Sequence, residues 1–230
     1  MVELVEVARI FSARARVLIV EELLSGPKTA GNLAEKLALQ PITIHHHLRV
    51  LAGAGIVEEI EGQKSGKSGR PWSQYHLRPQ SVSLNFPPRS YQALAEMLMG
   101  VLVGSMSPGE TRRKARSLGR TVGLQVAEHL KGLAGLTRWR LSDVRHWFID
   151  VHERQMGFAP QVVEARRSKL RWEVHNCVVL EVAKKHPEFI CEMDAPIVEG
   201  VLEGLGVEGQ VCRRQCMGHG APHCEFEITT

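Results

Sequence analysis

The chain has 230 residues, of which 43% are hydrophobic and 23% charged, with a formal net charge of +4. That is enough apolar material for one large core or two small ones. No run approaches ~20 consecutive apolar residues, which excludes a membrane-spanning helix. The opening Met1-Val2-Glu3 lacks the basic region of a signal peptide, so a cytoplasmic location is expected.

Charge is unevenly spread. Residues 1–80 hold ten Lys/Arg against eight Asp/Glu, whereas residues 172–230 hold four (Lys184, Lys185, Arg213, Arg214) against ten. The first part can approach a polyanion and the last part would be repelled by one.

In chain order, Leu4, Val7, Ala8 and Phe11 recur at helical spacing and predict a helix over Val2–Phe11. Ser12 is the expected cap of a second helix, running to Leu24 and stopped by Ser25-Gly26-Pro27. Thr29 is the expected N-cap of a short helix over Ala30–Leu39. Pro41 suits the first position of the next helix, which runs to about Ala52. Two short helices joined by a tight turn make a helix-turn-helix. Ile56–Glu61 and Trp72–Arg78 read as paired strands, with the glycine-rich basic loop Gly62–Pro71 between them as a wing.

A linker follows, over Pro79–Pro88. Next come an apolar helix over Ser90–Val103 and a long helix from Ser107 to about Lys131. A helix over Ser142–Met156 is closed by Gly157. Val162–Ala165 and Leu170–His175 suggest a hairpin. Cys177–Lys185 and Glu188–Glu203 suggest helices, and Val207–Gln215 and His223–Ile228 suggest closing strands. The expected fold class is α+β: a winged helix-turn-helix over residues 1–80, a linker and helical dimerisation segment over 81–135, and an α+β sensor domain over 136–230.

A helix that reads the major groove needs one face for the core and one for base edges. In the helix from Pro41, Ile44, Leu48 and Leu51 form the inward stripe, which leaves Thr43, His45, His46 and Arg49 outward. These four are the candidate base and phosphate contacts, with Lys64, Lys67 and Arg70 of the wing as phosphate contacts. His47 sits one step from the stripe and is expected to help pack the helix pair. Three consecutive histidines on a helix point about 100° apart, so they do not converge on a metal.

All five cysteines lie in the last quarter of the chain, at 177, 191, 212, 216 and 224. The spacing matches neither a zinc ribbon nor a ferredoxin run. Thiolates brought together by the fold would suit zinc or an iron–sulfur cluster; buried cysteine as a small hydrophobe is the plainer alternative. His175, His219 and His223 read as surface or supporting residues, with His219 and His223 the better substitutes for a thiolate. No glycine-rich phosphate loop or paired acid/base motif is present, so an enzyme is not expected.

Residues 13–78 resemble the ArsR/DeoR-type winged-helix regulators, on Thr29-Ala-Gly-Asn-Leu-Ala-Glu-Lys-Leu37 and Ile44-His-His-His-Leu-Arg-Val-Leu-Ala-Gly-Ala-Gly-Ile-Val57. Gly69-Arg-Pro-Trp-Ser-Gln-Tyr-His-Leu77 is similar to the wing of the SufR-like subgroup. Asn176-Cys177, Ala183-Lys-Lys-His-Pro-Glu-Phe-Ile-Cys191 and Cys216-Met-Gly-His-Gly-Ala-Pro-His-Cys-Glu-Phe226 resemble the C-terminal domain of SufR-type repressors. The end of the chain also resembles vinyl-reductase-type small-molecule-binding domains.

The resemblance implies a homodimeric repressor on a palindromic double-stranded DNA operator. It also implies an iron–sulfur cluster, 4Fe–4S, on Cys177, Cys191, Cys216 and Cys224, with Cys212 spare. Zinc at the same residues, or a small apolar ligand in the C-terminal domain, is the alternative.

Overall fold

The computed structural model describes residues 4–61, 73–78 and 90–230. The chain divides into two compact units, Met1–Arg89 and Ser90–Thr230.

The first unit opens with α1 (Leu4–Phe11) and α2 (Arg14–Leu24). Ser12 does not cap α2, whose N-cap position is Ala13 with no side-chain hydrogen bond. Its hydroxyl donates instead to the Arg9 carbonyl at 2.8 Å, at the end of α1. Thr29 does cap α3 (Ala30–Leu37), in a reciprocal capping box with Asn32. α3 ends two residues earlier than its pattern suggests. Ala38 turns left-handed at φ 52°, and the Leu39 N–H returns to the Ala34 carbonyl.

Pro41 then starts α4 (Pro41–Gly53). A two-residue strand β1 (Lys28–Thr29), β2 (Val57–Glu61) and β3 (Ser73–Leu77) form an antiparallel sheet in the order β1-β3-β2. Ile19, Leu33, Ile44, Leu48, Leu51 and Val57 are its fully buried large side chains. Ile44, Leu48 and Leu51 therefore fix which side of α4 is free.

The second unit begins with α5 (Tyr91–Gly104), which buries no residue. Tyr91, Leu94, Met97, Leu98 and Val101 are all more than half exposed. α6 (Pro108–Ala134) starts at a Ser107/Glu110 capping box and ends at Gly135, with φ 64°. It lies against α10 (Asp194–Leu205) through glycines on both helices. A Cβ on Gly123 would meet the Ile197 carbonyl oxygen, and one on Gly200 the Arg120 carbonyl. Arg112, Arg116 and Arg120 on α6 pair with Glu192, Glu199 and Glu203 at 3.7, 3.4 and 2.6 Å. Acidic residues that raise the negative balance of the last part of the chain thus neutralise the basic start of α6.

α7 (Leu141–Asp143) continues as a π-helix over Val144–Glu153, within the helix expected over Ser142–Met156. The inward positions account for the wider winding. Val144, Phe148, Ile149 and Glu153 are buried, a repeat longer than the 3.6 residues of an α-helix.

β4 (Pro160–Arg166), β5 (Lys169–Val174), β6 (Gln210–Gln215) and β7 (Cys224–Thr229) form an antiparallel sheet in the order β4-β5-β7-β6. The register shifts between Val162 and Glu164, and between Arg213 and Gln215. Trp172, fully buried, stacks on Phe226 at 5.3 Å. The helix expected over 188–203 is interrupted. α8 (Leu180–Lys185) is followed by α9 (Pro187–Ile190), a 3-10 turn at Cys191–Met193, and α10. That turn is where Cys191 enters the core.

Candidate nucleic-acid interface and thiolate centre

On α4, His45, His46 and Arg49 are exposed and Thr43 is half-buried, opposite the buried Ile44, Leu48 and Leu51. His45 and Arg49 also line a cleft of about 780 Å³ together with Thr29, Glu59 and Tyr75. Ile42 was not singled out from its sequence, yet it is 80% exposed beside Thr43. An apolar side chain on a groove-reading face meets a thymine methyl. Its signal was an isoleucine off the inward stripe.

His47 is half-buried and edge-on to His46 at 5.5 Å. Burial first, then Arg16 and His46, hold its pKa below the ordinary value, so it is a neutral packing residue. Lys64, Lys67 and Arg70 lie outside the described residues.

In the second unit, the 3-10 turn after α9 supplies Cys191, and the end of β6 leads into Cys216. β7 begins at Cys224. All three are buried. The Cys216 Sγ lies within 4.8 Å of the Cys191 Sγ and a His219 nitrogen, and also of the Cys224 Sγ and an Asp194 oxygen. Cys177 follows β5 and is partly buried against the same core, but it is in neither set of converging ligand atoms. Cys212 is exposed on β6.

The four candidate thiols are electrostatically unequal. Cys216 is held well below the ordinary thiol range: it accepts from the Cys191 and Cys224 thiols, faces the Arg213 guanidinium, and accepts from the His219 N–H. Cys191 and Cys224 are pushed up, first because each thiol donates a hydrogen bond to Cys216 and then by burial. Burial raises Cys177 to about 11. Arg213 donates to the Cys191 carbonyl and to Asp194, the latter at 3.0 Å. The Met217 N–H donates to the Cys224 sulfur at 3.3 Å. A Cβ on Gly218 would lie 2.4 Å from the Cys191 sulfur, so only glycine leaves the sulfur its place. Three converging sulfurs, one of them favoured as the thiolate by its neighbours, are a donor set suited to a soft metal.

Residues 14–59 match the bacterial regulatory protein, arsR family. Residues 160–229, which span both strand pairs and the grouped cysteines, match methanogen output domain 1. No curated protein matches the chain. Among solved structures, the chain is similar to a trafficking protein particle complex subunit 3 from Naegleria fowleri covalently bound to palmitic acid. That match has 14% identity and TM-score 0.47, and covers 59% of this chain and 92% of that one. The chain is also similar to the phenol-responsive sensory domain of the transcription activator PoxR with phenol, at 16% identity and TM-score 0.47, covering 67% and 79%. No helix of the described residues is long and apolar enough to cross a membrane. Residues 14–59 thus carry an ArsR-type helix-turn-helix, and the chain is a DNA-binding transcriptional regulator.

Proposed function

We propose that this regulator is a homodimeric repressor of the SufR kind, whose affinity for a palindromic operator is set by occupancy of a thiolate centre at Cys177, Cys191, Cys216 and Cys224. The observation that carries this reading is the Cys216 sulfur within 4.8 Å of both the Cys191 and Cys224 sulfurs. The donor set, together with the resemblance of the cysteine segments, favours an iron–sulfur cluster, which when bound supplies an oxygen- and redox-sensitive centre. The sulfur spacing favours a second occupant. Ligands at ~2.3 Å from a tetrahedral ion sit just under 4 Å apart, and the Cys191 and Cys224 sulfurs each lie within 4.8 Å of that of Cys216, so these three need little movement to hold a single zinc.

The chain's own residues provide the route from the centre outward. Arg213 neutralises the Cys216 thiolate and ties the start of α10 to β6 through Asp194. The turn over Met217–His219 packs on α8. Lys185 at the end of α8 pairs with Glu96 of α5 at 2.6 Å. α5 carries the uncovered apolar face, which is the proposed two-fold contact. Occupancy therefore biases the set of α5 in the dimer, and with it the spacing of the recognition helices. Thr43, His45, His46 and Arg49 are the proposed base and phosphate contacts, with Lys64, Lys67 and Arg70 on phosphates.

Visible spectra and metal analysis of protein purified without oxygen test this reading, read beside operator binding. A coloured iron–sulfur chromophore lost in Cys216→Ser but kept in Cys212→Ser supports the cluster. A colourless protein with stoichiometric zinc supports the second occupant. Full operator control in a protein that takes up neither overturns the thiolate centre.

A further inference from the structure

A second group of ligating side chains stands beside the thiolate centre and shares no donor with it. Glu173 is the penultimate residue of β5, His175 follows that strand, and His223 immediately precedes β7. The two strands are paired so that Val174 faces Cys224 and Glu173 faces Glu225. The His175 backbone N–H donates to the Ala159 carbonyl at 3.0 Å, which fixes the chain at that point.

The three side chains converge. His175 Nε2 lies 3.0 Å from Glu173 Oε2, and His223 Nε2 lies 3.6 Å from Glu173 Oε1. The imidazole rings are 5.2 Å apart, and one ligating atom from each residue falls within 4.8 Å of the others. All three side chains are a quarter exposed or less.

We infer that Glu173, His175 and His223 form a second metal site, for a divalent first-row transition ion of borderline softness such as zinc. One carboxylate accounts for one histidine as a charge partner. A second imidazole faces its other oxygen, so both rings present a nitrogen to the same carboxylate. A cation among them accounts for both. Nitrogen and carboxylate oxygen ligands bind zinc at ~2.0–2.2 Å, so neighbouring donors sit about 3 to 3.5 Å apart around tetrahedral or octahedral ions. The observed 3.0 and 3.6 Å contacts run to different oxygens of Glu173, so both become edges when the carboxylate binds through its two oxygens, and one ligand atom from each residue already lies within 4.8 Å of the others.

Two imidazoles and one carboxylate leave an open position for water or an exchangeable ligand. That donor set is harder than four thiolates, so the two sites differ in metal preference. His223 is adjacent in sequence to Cys224, so an ion there also pins the start of β7.

Cobalt(II) titration of the full, metal-stripped, reduced chain under anaerobic conditions separates the sites. The expected result is two equivalents: one with intense sulfur-to-cobalt charge transfer and one with weak ligand-field bands alone. His175→Ala combined with His223→Ala removes the second and keeps the first; Glu173→Gln does the same with the side-chain shape retained. A single charge-transferring equivalent in the wild type overturns the inference. So does an unchanged stoichiometry in the histidine variant, or loss of the charge-transfer band there, which would assign His223 to the thiolate centre. A single equivalent without charge transfer, lost in the histidine variant, supports the second site while removing the thiolate one.

Discussion

Two residues carry sharp expectations of opposite kinds. His46 is exposed on α4, and a base-edge contact is worth ~1–3 kcal/mol of discrimination. His46→Ala is expected to weaken operator binding by roughly tenfold or more while leaving random-sequence binding nearly unchanged, as fluorescence anisotropy on both DNAs would show. An unchanged operator-to-random ratio would mean that another face of α4 meets the groove. Glu153, at the end of the π-helix, is buried beside Trp172. Burial raises its pKa from 4.5 to about 8; among the described residues, one of its oxygens and the Trp172 indole nitrogen have no hydrogen-bond partner. The folded state therefore holds a proton that the unfolded chain releases. Its contribution to stability is complete below pH 4.5 and is lost as pH rises through about 8, with a slope of up to ~1.4 kcal/mol per pH unit inside that window. Glu153→Gln should flatten this part of the melting-temperature profile and stabilise the protein at pH 8. Parallel profiles for the two proteins would refute a neutral Glu153.

At the scale of elements, the α6–α10 pair gives the cleanest contrast. Gly123→Ala places a methyl 2.1 Å from the Ile197 carbonyl oxygen. Backbone cannot yield as a flexible side chain does, so a cost of ~1–3 kcal/mol or more is expected. Gly132, on the same helix, has nothing within 4 Å of a Cβ. Gly132→Ala should therefore stabilise by ~0.5–1 kcal/mol. Thermal melts of the two variants should move in opposite directions. The glycine seam was not legible in the sequence, because small residues give no apolar stripe and the partner helix lies over 70 residues away. Elements whose stop and start signals are local were read closely: Thr29, Pro41, Ser107 and Gly157 all sit at or next to a helix end. Misreadings arose where the core overrode local pattern. The apolar spacing of 144–153 fits a π winding, and the run from Glu188 is bent at Cys191–Met193 to bring a sulfur inward. The cysteines were legible as candidates, of which Cys191 and Cys224 approach Cys216; the Glu173–His175–His223 group was not, since it depends on which strands become neighbours.

For the whole molecule, the uncovered face of α5 predicts assembly. Leu98 and Val101 are 61% and 74% exposed, so replacing both with Glu costs the isolated unit little packing. It should convert a dimer at micromolar concentration into a monomer in sedimentation velocity, and abolish tight binding to a two-half-site operator, where the recognition helices must sit about one helical turn apart. A wild-type monomer would refute the two-fold contact. The four-stranded sheet bears on the same question from the opposite side. Its outer strands β4 and β6 both carry a register shift, at Val162/Glu164 and at Arg213/Gln215. Such irregularities, with charged side chains beside them, spoil the straight row of backbone donors and acceptors that would recruit another chain edge to edge. Self-recognition is thereby closed along the sheet and left open along a helix. A copy that loses α5 should therefore stay a single chain in sedimentation velocity rather than polymerise through its four-stranded sheet.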